Sequence, residues 1–79
     1  MAEEPYTTGG FICVTDMDGC RHALRLTSIS AVRDAAEDRR EALIVLNGGR
    51  ATLMVPASME TILDEILDAA RSAPSWDKR

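Results

Sequence analysis

The chain reads as an α+β protein, a small antiparallel sheet of about five strands closed by one C-terminal helix. Three observations predict it. Phe11-Ile12-Cys13-Val14-Thr15 is an apolar run that turns at Asp16-Met17-Asp18-Gly19 into the segment Cys20 to Leu26. A second run, Ala42 to Leu46, turns at Asn47-Gly48-Gly49 into Ala51 to Val55. Glycine supplies the positive-φ backbone that tight hairpin turns need, so each pair reads as two adjacent antiparallel strands. Finally, Met59, Ile62, Leu63, Ile66, Leu67 and Ala70 recur at the spacing of one helix face.

Seventy-nine residues make one domain at most, with a thin core. A hydrophobic content of 46% is too high for a disordered chain, and with Tyr6, Phe11 and Trp76 as the only aromatics the core must be aliphatic. Residues 1–10 read as a flexible N-terminal tail, because two acids, Pro5 and Gly9-Gly10 occur there without periodicity. Residues 11–72 form the single sheet-plus-helix domain, and 73–79 a C-terminal tail with Pro74 and mixed charge. Trp76 stands out in that tail as a large aromatic that either moves with it or docks on its own or a partner subunit.

The first hairpin has a definite register. A three-residue loop with Gly19 in the left-handed position pairs Asp16 with Cys20, Val14 with His22 and Ile12 with Leu24. Ile12, Val14, His22, Leu24 and Leu26 then share a mainly aliphatic face. Phe11, Cys13 and Thr15 lie on the other face across from Arg21, Ala23 and Arg25. In the second hairpin, Gly48-Gly49 as the loop pairs Ile44 with Leu53 and Leu46 with Ala51, with Val45 and Met54 on the opposite face. Leu43 to Leu46 is apolar throughout rather than alternating, which marks a strand covered on both sides. One terminal helix covers one face only. The other is left to curling of the sheet into a partial barrel or to another subunit.

Thr27 to Glu41 fits two readings. Ile29, Val32 and Ala36 suit a helix, and local propensity slightly favours one. A strand through Ser30 to Ala35 would instead continue the sheet, with Glu37-Asp38-Arg39-Arg40 as a solvated turn. The terminal helix is less ambiguous. Ser58 caps its free amides, Glu60 suits its positive N-terminal end, Arg71 suits the last turn and Pro74 prevents extension. Its apolar stripe closes the core, or forms a dimerising face. Burial would contribute about 1.5–3 kcal/mol per large aliphatic side chain.

Few residues point to chemistry. Asp16, Cys20 and His22 share a face and are the weak candidate ligands, but a closed zinc site wants four ligands and no second CxxC or HxxxH completes one. Cys13 points away from Cys20, which disfavours a disulfide. No dinucleotide fingerprint or phosphate-binding loop occurs, and nothing orients His22 as a base. Neither a catalytic residue nor a cofactor is predicted. Thirteen acids against nine bases give a net charge of -4, which weighs against nucleic acid unless Arg21, Arg25, Arg33 and Arg50 converge. No apolar run is long enough for a membrane span, and the acidic start lacks the apolar core of a signal peptide, so a cytoplasmic protein is expected.

Taken in order, Ile12-Cys13-Val14-Thr15 with Asp18-Gly19, Ile29-Ser30-Ala31-Val32, Leu46-Asn47-Gly48, and Val55 before the Ser58-led acidic helix resemble the small FlbD-type proteins encoded among flagellar genes. The similarity spans about residues 11–70. It departs at Asp16-Met17-Asp18-Gly19, where the family tends to an Arg-Leu-Asn-Gly type of turn, and over the Arg/Glu-rich stretch 37–41. The resemblance implies a strand in the 27–41 segment and a non-enzymatic accessory protein with no catalytic residues to carry over. The expected function is therefore a small bacterial interaction or regulatory module that associates with itself, as a dimer or higher, and with a protein partner. A phage- or assembly-related structural subunit and a nucleic-acid-binding regulator are the alternatives. Leu43, Val45, Met54, Ile62, Ile66 and Trp76 are the candidate interaction surface.

Overall fold

The order of elements in the computed structural model, which describes residues 4–71, is β1 (Tyr6–Thr8), β2 (Phe11–Thr15), β3 (Arg21–Arg25), β4 (Ile29–Asp34), β5 (Ala42–Leu46), β6 (Ala51–Val55) and α1 (Met59–Arg71). Among the described residues there are six strands rather than about five. They form two three-stranded antiparallel sheets, ordered β1-β2-β3 and β4-β5-β6, rather than one sheet curled into a barrel.

The additional strand lies inside the segment expected to be a tail. Tyr6–Thr8 pairs with β2 through a two-residue loop, Gly9-Gly10, that sets Thr8 opposite Phe11. Both glycines have positive φ, +55° and +84°, the backbone that lets a two-residue loop follow the strand twist. Three residues are too few to show a period-2 pattern, so only the glycine pair signals this hairpin.

The first long hairpin has the expected register, with Ile12 opposite Leu24 and Val14 opposite His22. Asp16 N–H donates to the Cys20 carbonyl at 2.8 Å and Gly19, at φ +87°, donates to the Asp16 carbonyl at 3.1 Å. The second has Ile44 opposite Leu53 and Leu46 opposite Ala51, also as expected. The 27–41 segment supplies a strand, β4, one residue ahead of the Ser30–Ala35 placement.

Division into two sheets begins after β3. Leu26 N–H donates to the Gly10 carbonyl at 2.9 Å, and Leu26–Ser28 then makes one 3-10 turn. That turn redirects the chain, so β4 pairs with β5 and not with β3.

Between the sheets lies one aliphatic core. Ile12 and Val14 enter from the first sheet, Ala42, Ile44 and Val55 from the second, and Ile62 from the helix. The helix packs against β1 and β4. Its start is capped as expected, with the Ser58 hydroxyl accepting the Thr61 N–H at 3.2 Å and lying 2.9 Å from the Thr61 hydroxyl. Among the described residues, no helix is long and apolar enough to cross a membrane.

Candidate interaction surface

Alternation along the second sheet sends Ala42, Ile44 and Val55 inward and leaves a second row pointing out. Register places Arg33, Leu43 and Met54 side by side across β4, β5 and β6, with Ala31, Val45 and Thr52 in the next row. Leu43 and Val45 are half-buried, and Met54 is 40% exposed. The helix lies on the inner side, where Ile62 sits with Ile44 and Val55, so it leaves this outer face uncovered. Five uncharged side chains beside one arginine form a mainly apolar patch.

Two of the expected surface residues belong to the interior instead. Ile62 is fully buried, and Ile66 packs against the core. The helix turns about 100° per residue, so its six apolar residues spread over a wide arc, of which only part is buried. Leu63 and Leu67, one position beyond each isoleucine, fall on the uncovered margin at 37% and 52% exposure. Ala70 is also exposed. Periodicity predicts which residues share the arc and not which part of it the sheets cover. The reading of Trp76 concerns a position outside the described residues.

The polar end of the first hairpin is built around Asp16. One of its carboxylate oxygens accepts the Asp18 and Cys20 amides, both at 2.9 Å, which closes the turn. The other lies 2.7 Å from His22 Nε2. The hydrogen bond from His22 first, and the Cys20 amide next, hold the Asp16 carboxyl below its ordinary pKa. Cys20 joins through its backbone amide, while its side chain belongs to an exposed residue. Cys13 lies on the opposite face beside Ala23, and both cysteines are free thiols. Among the described residues no group of three or more His, Cys, Asp or Glu side chains is gathered as a metal site. Asp16 thus links the His22 ring to the turn's own backbone amides.

Arginines are distributed rather than focused. Arg21 and Arg25 project from the outer face of the first sheet, where Arg25 stacks over the Phe11 ring at 5.1 Å from its centroid. Arg33 projects from the outer face of the second sheet, and Arg50 follows the loop between β5 and β6. Arg39 and Arg40 border a groove of about 290 Å³ beside Ser58 and Thr61, with Glu4 on its rim.

No family model, curated protein or solved structure matches the chain.

Proposed function

We propose that this chain is a small non-enzymatic interaction module that associates with itself and presents the outer face of its second sheet to a protein partner. The observation that carries this reading is the Leu43–Val45–Met54 patch, which the helix on the inner side leaves open. An apolar sheet face that the protein's own helix does not cover is a candidate contact surface. Core size points the same way. Among the described residues six side chains make up the buried core, and a core this thin leaves a small margin of stability, which association would raise. The likeness to FlbD-type accessory proteins, carried by residues 11–70, supports a role without catalysis.

Sedimentation of the purified chain over a wide concentration range tests the reading. A discrete dimer or other small oligomer supports a module, and open-ended growth supports a structural subunit instead. A monomer at every concentration overturns self-association.

A further inference from the structure

Four strands stand at sheet edges, β1 and β3 in the first sheet and β4 and β6 in the second. The helix packs against β1 and β4. Among the described residues no strand pairs with the outer edge of β3 or of β6, and the backbone amides and carbonyls of such an edge template pairing with another strand.

Side chains separate the two. β3 is Arg21-His22-Ala23-Leu24-Arg25, with both arginines exposed. Two copies of β3 paired antiparallel over their full length would set Arg21 against Arg25 of the second copy, twice. Facing like charges disfavour pairing, so this edge is protected against a copy of itself. β6 is Ala51-Thr52-Leu53-Met54-Val55 and contains neither a charge nor a proline. Full overlap of two such strands puts Leu53 on the two-fold axis, Thr52 beside Met54 of the second copy and Ala51 beside Val55. Every facing pair is uncharged. Arg50, the nearest cation in sequence, falls outside the overlap opposite Pro56.

We infer that β6 is the edge at which two copies of this chain join, antiparallel about a two-fold axis, making one continuous six-stranded sheet from their second sheets. The inference rests on the reading of the chain as a self-associating module and adds where and how the copies meet. It also bears on the partner surface. Joined at β6, the two outer faces with their Leu43, Val45 and Met54 rows become one apolar platform of twice the width.

The test compares the wild-type chain with two double variants by sedimentation and by hydrogen exchange of the β6 amides. Thr52→Lys with Met54→Lys brings like charges face to face across the axis, whereas Thr52→Lys with Met54→Glu brings opposite charges together. Far-UV circular dichroism checks that each variant is folded. The expected result is a Kd about tenfold to thirtyfold weaker for the like-charge pair than for the opposite-charge pair, with β6 amides gaining protection as concentration rises. A dimer whose β6 amides stay unprotected, whose two double variants associate equally and which Leu43→Lys dissociates would overturn edge pairing while leaving self-association intact. A wild-type chain monomeric at all concentrations would overturn both.

Discussion

The Ser30 hydroxyl accepts a hydrogen bond from the Gly48 amide at 2.7 Å, across 18 residues of sequence. Ser30 is the extra residue where the β4–β5 register slips, between Ile29 opposite Leu46 and Ala31 opposite Val45. Gly48 stands in the loop that joins β5 to β6, at φ +70°. A bulge displaces one residue from the ladder and re-aims its side chain. Here that side chain holds the loop between β5 and β6, so one irregularity in β4 ties that strand to the neighbouring hairpin's turn.

Ser30→Ala should therefore destabilise the fold by about 0.5–1.5 kcal/mol, the net worth of one such bond. The shift should appear in the urea midpoint at unchanged slope. Amides of residues 47–50 should exchange faster than those of the first hairpin. Equal acceleration in both sheets would show that the bond does not act locally.

Asp16 makes stability depend on acid. Its folded-state pKa lies below the ordinary value of 3.8, because His22 and two backbone amides favour the charged form. A lowered carboxyl pKa contributes stability that is fully present above the unfolded value and is lost as pH falls through the folded one. Melting temperature should thus decline on acidification below about pH 5, and Asp16→Asn should flatten that part of the profile. An identical slope in the variant would mean other carboxyls account for acid unfolding.

Gly10→Ala tests the short β1–β2 hairpin. A Cβ at Gly10 meets nothing within 4 Å, so any cost comes from its φ of +84° alone. For alanine that conformation costs about 1–2 kcal/mol. The expected result is faster amide exchange at Tyr6–Thr8 with little change in β4–β6. Gly10→Asn should recover part of the loss, since asparagine tolerates positive φ better.

The split of the helix stripe predicts unequal costs for similar truncations. Ile62→Ala should cost about 2–5 kcal/mol, enough to unfold much of a marginally stable domain, and Ile62→Val about 0.5–1.5 kcal/mol. Leu67→Ala, at a residue half open to solvent, should stay within about 0.5 kcal/mol in thermal unfolding at low protein concentration. A large loss at Leu67 in the monomer would place it in the core.

Much of the fold was legible wherever the deciding interaction is local. Gly19 and the Gly48-Gly49 pair specify their turns, and a turn specifies strand register, so Val14 opposite His22 and Ile44 opposite Leu53 follow from short-range stereochemistry. Ser58 before an apolar-periodic run likewise announces the helix start. The candidate surface was legible only in part. Leu43, Val45 and Met54 sit on an outer face, as strand alternation requires. Ile62 and Ile66 turned inward, because an apolar stripe has no marker for its covered half.

The amino-acid sequence by itself determined the β2–β3 and β5–β6 hairpins, their registers, the helix and the aliphatic character of the core. Each depends on residues a few positions apart, through glycine backbone freedom, period-2 and 3.6 patterning, and capping. Only the tertiary structure decided that the strands divide into two sheets at Leu26–Ser28 and that Ser30 reaches Gly48. It alone also decided which isoleucines of the helix fill the core and which strand edges remain open. Those outcomes are set by where surfaces meet after the chain has turned, and no spacing along the chain encodes the distance between elements that are not neighbours in it.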